Sequence, residues 1–509
     1  EALQMTTNTF HGLGFIICNE HAEDLQRKPG FMLIDPDETV SILQQITGKK
    51  LREVKQSAVQ ISLYKQNIVS ALSDADIQLL DQYEDYLISN NLFDLDDLLY
   101  RPVKLLKENR EISKQWQQRF SHILVDEYQD TNPVQYELLN HLIDGENSNL
   151  YVVGDPNQAI YGFRGASVKY MRRFVADFPQ ATIYRLQQSY RCSQRILASS
   201  ANVLSPETSV LKGINEGVKV KISVFASGAA EAEGIARKIE VLTGGMGFFS
   251  KDSQVAESND DAEIGLSDIA ILMRTRRQAD ALKKALQDHH IPFQEAGEEP
   301  FWKKAPWSMV VKLLSFTHYQ LPHLQKDLKP QALSILHEMP ETDSAVEMLK
   351  FITNKLSADY EFDQRQYQMI CSMAEGLDCA TFLTRLKTGW GTDAINNKLE
   401  AVQLLTMHAA KGLEFDTVFI PCLEDGIMPF HMFREQVDTE EEERLLYVAM
   451  TRAKQNLWLS HANQRFILNQ HQKLKASPFL KRINKALTEQ LKEKASLKQK
   501  ADGNQLKLF

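Results

Sequence analysis

Two spacings of apolar residues organise this chain of 509 residues. Short apolar runs that end in acid or glycine read as buried strands, and apolar residues three and four apart read as amphipathic helices. Residues 1–20 carry TFHGLGF, the end of a strand passing into a helix, and 21–100 keep the helical spacing up to the acidic FDLDDLLY. Over 101–180 the signals alternate: ILVDE is a strand, PVQYELLNHL a helix and NLYVVGD a strand. This βα alternation predicts a parallel sheet. A second such unit opens near ATIYRLQQSYR (181–191), and its next strand, DIAILMRT (268–275), runs into the helix QADALKKALQDH. Between them, 244–265 are rich in Gly, Ser and acid and predict a surface loop. Helical spacing alone fills 317–395, before strand signals return in VQLLTMHA (402–409) and DTVFIPCL (416–423). The expected fold class is therefore α/β, two parallel-sheet units with helical inserts.

The length exceeds what one core sustains and calls for three or four domains. At 43% apolar and 25% charged residues, the composition is that of an ordinary globular protein. No run approaches the roughly 18 apolar residues of a membrane span. The opening EALQMTTNTF has neither the charged nor the apolar region of a signal peptide. Cys18, Cys192, Cys371, Cys379 and Cys422 lie far apart and form no CxxC pair, which argues against zinc and a disulfide framework. A reducing cytoplasm is the default, with no membrane partner. The net charge of −9 argues only weakly against nucleic acid, because a local groove does the binding. Across 471–500 eight Lys and one Arg face two Glu, so the tail is strongly basic. A solvated, fraying tail is the bland reading and phosphate contact the functional one.

Asp126 and Glu127 end an apolar run in ILVDEYQDTN (123–132). Magnesium takes hard oxygen ligands, often one or two carboxylates plus phosphates. A second carboxylate beside it can orient or deprotonate an attacking water. A solvent-facing strand end is the plain alternative. The next strand ends in GDPNQAIYGFRGA (154–166), from which Gln158 can reach the same site. Tyr161 and Phe163 stand two apart, so an extended backbone puts them on one face, ready to stack on bases; otherwise both rings fill core. QQSYRCSQRIL (187–197) sets Tyr190 beside Arg191, a ring to stack and a guanidinium to pair with phosphate. TMHAAKGLEFDTVFI (406–420) joins two strands through a polar turn with Lys411, Gly412 and Glu414. EEERLLYVAMTRAKQNLWL (441–459) is a helix then a strand, with Arg452 just past the helical run.

DEYQDTN, GDPNQAIYGFRGA, QQSYR, TMHAAKGLEF and YVAMTRAK occur in this order at domain-scale spacing. They resemble motifs II to VI of the superfamily 1A DNA helicases, the UvrD, Rep and PcrA family, and TFHGLG resembles motif Ib. The resemblance reaches about residue 485 and is weakest over 317–395. It implies two RecA-like domains, 1A and 2A, with ATP between them. Domain 1A, incomplete, would take 1–20 and 101–180, around helical 1B (21–100). Domain 2A would take 181–316 and 398–485, around a short helical 2B (317–397). Residues 486–509 would form a flexible basic tail.

The same resemblance implies roles. Asp126 would hold Mg2+ and Glu127 activate water. Gln158 would sense the γ-phosphate of ATP, and Arg191 and Arg452 would be arginine fingers. Tyr190 would stack on adenine, with Glu414 and Gly412 at the nucleotide. Single-stranded DNA and single-strand/duplex junctions would be the partners, met by His11, Tyr161, Phe163, Arg274, Thr406 and His408. Two departures stand out: Arg276 replaces the family's usual Asn, and Phe163 its frequent Trp. The implied activity is ATP-dependent 3′–5′ DNA helicase and translocase in repair or replication, in a bacterial, nucleoid-associated setting.

That family also needs a GxxxxGK[ST] phosphate loop. The only Gly-Lys here is Gly48-Lys49, with Leu43 where the first glycine belongs. With the non-Met start, this points to an N-terminally truncated helicase that hydrolyses little ATP alone. The other reading is a non-catalytic, DNA-binding accessory protein recruited to a sliding clamp. The terminal Gln505, Leu506, Leu508 and Phe509 (QLKLF) resemble the bacterial sliding-clamp-binding peptide.

Overall fold

A computed structural model describes residues 5–145, 149–162, 165–166, 168–204, 210–244, 264–295, 300–319, 334–388, 400–431, 438–467 and 470–491. The chain forms two compact units, one from Glu1–Ala181 with Glu298–Ala394, the other from Thr182–Gly297 with Ile395–Phe509. The loop expected at 244–265, Phe163 and the last eighteen residues fall largely or wholly outside the described residues.

In the first unit, two parallel pairs of strands are set among helices. β1 (Met32–Ile34) pairs with β2 (Leu92–Asp94), and β3 (His122–Val125) with β4 (Asn149–Val152). The expected βα alternation over 101–180 is present: the helix Pro133–Leu142 joins β3 to β4. Asn132 caps it, accepting from Gln135 N while Gln135 Oε1 accepts from Asn132 N. β3 and β4 cover one face only. Ile123, Val125, Leu150 and Val152 pack with Tyr128 and Leu139. On the other face Leu124 and Tyr151, opposite in register, are 75% and 56% exposed.

The helix Phe10–Glu20 begins at Thr9, whose hydroxyl accepts from Gly12 N. No strand precedes it among the described residues, so TFHGLGF is a helix start rather than a strand end. Ile17 on this helix packs with Leu99, Val103 and Trp116. The segment expected to be helical over 21–100 is largely so, and it hides ions. The Lys65 ammonium is buried and meets Asp94 at 2.8 Å and both Asp97 and Glu84 at 2.9 Å. Three carboxylates repay its desolvation, whereas an unpaired buried ammonium would shed its proton.

The helical insert differs from expectation in extent. Trp307–Tyr319 is already a helix of this body: Trp307, Val310, Leu313 and Leu314 join Leu349, Ile352, Ile370 and Phe382 in one core. The boundary expected at 317 therefore lies upstream, because the apolar stripe of WSMVVKLLSF faces that core. Phe316 and Tyr319 also pack on the cluster of Ile42, Tyr83 and Leu87 in the first insert.

The second unit holds a seven-stranded parallel sheet in the order β13-β5-β10-β9-β6-β8-β7. The strands are β5 (Val220–Phe225), β6 (Ile269–Met273), β7 (Phe293–Glu295), β8 (Val402–Thr406), β9 (Phe415–Ile420), β10 (Ala453–Ala462) and β13 (Thr488–Leu491). Every residue of β6 is buried, as a central strand covered on both faces requires. A hairpin of β11 (Gln464–Ile467) and β12 (Gln470–Lys473) stands apart from this sheet. Two expectations are corrected. ATIYRL does not form a strand: Ile183, Tyr184 and Leu186 are 61%, 78% and 84% exposed, and the sheet begins at Val220. Conversely, Thr488–Leu491 is an edge strand beside β5, where a frayed tail was expected. A lone TEQL carries no apolar alternation, and neighbouring backbone supplies the pairing. No helix among the described residues is long and apolar enough to cross a membrane.

Candidate functional site

The sequence-predicted residues gather at two places, one in each unit. In the first unit they sit where β3 and β4 end. Asp126 and Glu127 follow β3 directly and both are exposed. Glu127 lies in the left-handed region at φ 50°. A non-glycine residue pays strain to stay there, which marks candidate functional turns. The turn is held by its neighbours. Glu127 N donates to Asp126 Oδ1 at 2.8 Å, and Tyr128 N donates to Val153 O at 2.9 Å.

Gln129 ties the two strand ends together. It is almost wholly buried; its Nε2 donates to Glu127 Oε2, and its Oε1 accepts from Asp155 N at 3.0 Å. Gly154 leaves room for this bridge, since a Cβ there would meet Gln129 Oε1 at 2.6 Å. Asp155 in turn accepts from Gln158 Nε2 at 3.0 Å. Asp126, Glu127 and Gln158 are thus collected at neighbouring ends of two parallel strands, linked by Gln129 and Asp155. Sequence reading did not single out those two linkers. Their signal was position alone, two residues after the acid pair and one after the glycine.

Two carboxylates at a strand end suit magnesium held jointly with phosphates. Among the described residues there is no cluster of three or more side chains that holds a metal by itself. The carboxylate edge fits the ion; a glycine-rich cradle for phosphates is not found in the sequence. Tyr161 is half-buried in an irregular segment, and Phe163 lies outside the described residues, so their shared face is not on view. His11 sits in the first turn of its helix, where burial lowers the imidazole pKa.

In the second unit the cluster is ionic. Arg191 Nε donates to Glu414 Oε2 at 2.7 Å, and Lys454 Nζ meets Glu414 Oε1 at 2.9 Å. Hydrogen bonds from Lys454 and then Arg191 hold the Glu414 carboxyl down at about 2. Lys454 was not anticipated, although it stands two residues after Arg452. Tyr190, next to Arg191 in the chain, is 86% exposed. Gly412, at φ 85°, lets the chain turn between β8 and β9 to present Glu414.

Arg452 is placed differently from its neighbours. Only 1% exposed, it sits at the end of the helix Thr439–Met450. Its Nε donates to Val448 O at 3.0 Å and its Nη1 to Leu413 O at 3.2 Å. It braces the turn that carries Gly412 and Glu414. Arg274 is also engaged: its guanidinium binds Glu442 through two nitrogens, at 3.1 and 2.6 Å, and lies 5.1 Å from the Phe430 ring centroid. Glu442 was not foreseen as its partner. Thr406 ends β8 and accepts from Ala409 N at 3.2 Å, and His408 is half-buried in the turn that follows. Gln505, Leu506, Leu508 and Phe509 lie outside the described residues.

Comparison with known proteins bears on both places. Residues 1–179 match the UvrD/REP helicase N-terminal domain. Residues 184–320 and 350–464 match the UvrD-like helicase C-terminal domain. The ATP-dependent DNA helicase Rep of Buchnera aphidicola (from Acyrthosiphon pisum) is 27% identical over 91% of this chain and 84% of that protein. The Rep protein of Escherichia coli K12 is 26% identical over 91% of this chain and 80% of its own length. The ATP-dependent DNA helicase PcrA of Bacillus subtilis is 26% identical over 96% of this chain and 76% of its own length.

Proposed function

The chain belongs to the UvrD/Rep family of DNA helicases, and we propose that it carries the motor residues of a 3′–5′ translocase driven by ATP and magnesium. The observation that supports this best is the strained acid pair at the end of β3, cross-tied by Gln129 to the end of β4. In this reading Asp126 holds magnesium and Glu127 orients the attacking water. Gln158 follows the γ-phosphate through the Asp155 link. Tyr190 stacks on the base of ATP, and Arg191 supplies charge to the phosphates. Gly412 and Glu414 shape the nucleotide-side turn. Arg452 acts as a second finger only by giving up its bonds to Val448 O and Leu413 O; in the arrangement seen it positions that turn. His11, Tyr161, Phe163, Thr406 and His408 meet single-stranded DNA, and Arg274 joins them only in competition with Glu442.

The residues present include no GxxxxGK[ST] loop, so this chain alone hydrolyses little ATP. Steady-state hydrolysis with and without an oligothymidylate tests that. DNA-stimulated turnover comparable to an intact helicase overturns the phosphate-loop argument. Failure to bind single-stranded DNA overturns the motor reading itself. The C-terminal QLKLF is proposed as a sliding-clamp contact, and pull-down by a bacterial clamp should be lost on deleting residues 505–509.

A further inference from the structure

Lys221 and Lys238 have no part in the roles assigned above, and they share one aromatic ring. Lys221 lies on β5, in register with Trp458 of β10 on one side and Glu489 of β13 on the other. Trp458 is buried and packs with Ile235 and Ile239 of the helix Gly228–Leu242. It also stacks on Phe419, with ring centroids 5.6 Å apart. The Lys221 ammonium stands 4.2 Å from the Trp458 ring centroid. The ammonium of Lys238, on that helix, stands 4.6 Å from the same centroid. Both lysines are half-buried.

Two cations at one indole are each attracted to the ring and repelled by one another. Among the described residues neither lysine forms a salt bridge that would offset the repulsion. Burial acts first against the Lys221 charge and Lys238 second, while Glu489 opposes them, and the balance lowers the Lys221 pKa. More of its amine is then unprotonated at neutral pH, and the unprotonated amine is the nucleophile. Conversion of that amine to an amide removes one of the two repelling charges. Lys238 stays charged beside it and is placed to attract an anionic reagent.

We propose that Lys221 is an acyl-acceptor site whose donor is an acyl phosphate, with the Lys238 ammonium holding the donor's phosphate. The unprotonated Lys221 nitrogen attacks the acyl carbon, and the C–N bond of an amide forms. The C–O bond to phosphate breaks, inorganic phosphate leaves with the electron pair, and the amine proton passes to water. With the amide in place, Lys238 has the Trp458 ring to itself and Glu489 loses its attraction to Lys221. An exposed lysine such as Lys219, two residues earlier, carries the same amine without the burial or the neighbouring cation.

The test treats the full chain with acetyl phosphate and follows occupancy at each lysine by peptide mass spectrometry, over time and pH. Lys221 should be acetylated severalfold faster than Lys219 near neutral pH. That lead should shrink as pH rises past the free lysine value of about 10.4, where amines at large are unprotonated. Lys238→Gln should slow acetyl phosphate at Lys221 about two- to fivefold, the worth of one partly exposed ion pair. The same variant should slow an uncharged acetyl N-hydroxysuccinimide ester less, and Lys238→Arg should keep the parent rate with acetyl phosphate. Both substitutions alter a side chain at the surface end of the helix packing, so the variants fold, which circular dichroism verifies. Acetylation of Lys221 no faster than that of Lys219 overturns the proposal. So does an equal loss with both donors in Lys238→Gln.

Discussion

Gly12 and Gly14 lie two residues apart in FHGLG at the start of a single helix, yet alanine should have opposite consequences at the two positions. In an unobstructed helix interior, Gly→Ala stabilises by roughly 1 kcal/mol. At Gly12 the nearest atom to a new Cβ is Asn8 Oδ1 at 2.9 Å, the end of an exposed side chain that can rotate away. Gly12→Ala should therefore fall within about 0.5 kcal/mol of the parent, on the stabilising side. At Gly14 the new Cβ would stand 1.7 Å from Leu98 O and 2.8 Å from Leu98 C. Both are backbone, so the helix Phe10–Glu20 must retreat by well over an ångström from the helix Asp97–Glu108. The retreat opens the core where Ile17 meets Leu99 and Val103. Overpacking costs about 1–3 kcal/mol, and the opened core adds to that. Set against the helix gain, Gly14→Ala should lose about 2 kcal/mol or more. Urea unfolding followed by tryptophan fluorescence reads it, since Trp116 lies in the same core. Equal midpoints for the two variants would refute the packing account of this glycine motif.

Four further outcomes follow from particular contacts. Glu442→Ala removes the partner of a largely buried guanidinium and the acceptor of Phe430 N, and should cost about 2–4 kcal/mol in urea unfolding. Gly154→Ala should displace Gln129 and loosen the Glu127 turn, seen as faster amide exchange at Glu127 and Tyr128 with other helices unaffected. His289 is contacted by Glu240 and Glu233 at 3.0 and 3.1 Å, and although burial opposes it, these bonds raise its pKa. A raised folded pKa gives stability that is full below the free imidazole value of about 6.5 and lost as pH climbs through the folded value. The urea midpoint of the parent should fall over that window more than that of His289→Gln; parallel profiles sink the idea. Replacing exposed Leu124 and Tyr151 by Ser and Asn should reduce self-association in sedimentation without lowering the unfolding midpoint.

Apolar runs that end in acid or glycine were legible from the run itself, even where, as for β3 and β4, a strand pairs on one side only among the described residues. β3, β4, β6, β8, β9 and β10 all overlap segments that read as strands, to within a few residues at their ends. Thr488–Leu491 was not legible, because edge pairing with Val220–Ser223 needs backbone groups and no apolar pattern. ATIYRL failed in the other direction: it has strand chemistry, but no described neighbour gives it a ladder. The charged candidate residues were named from the motifs and the resemblance they carry, and their partners in the fold were missed. Nothing local pairs Arg274 with Glu442, 168 residues away, or Arg191 with Glu414, 223 away. Folding alone sets such separations, so the residues that hold a site in place are the least visible from sequence.

Those partners set how each part of the site can respond. Gln129 is buried and bonded to both strand ends, so the fold itself holds the Glu127 carboxylate. Fixed carboxylates need no reorganisation when charge develops beside them. The cluster around Glu414 is built the opposite way. Its three charged groups are between a third and half exposed, so each ion pair is individually weak. One carboxylate serves two cations, leaving a single positive charge unmatched at ordinary pH. Under the proposed function, a phosphate draws Arg191 away at small cost while Lys454 keeps Glu414 paired. The buried Arg452 braces the turn that carries Glu414 through Val448 O and Leu413 O.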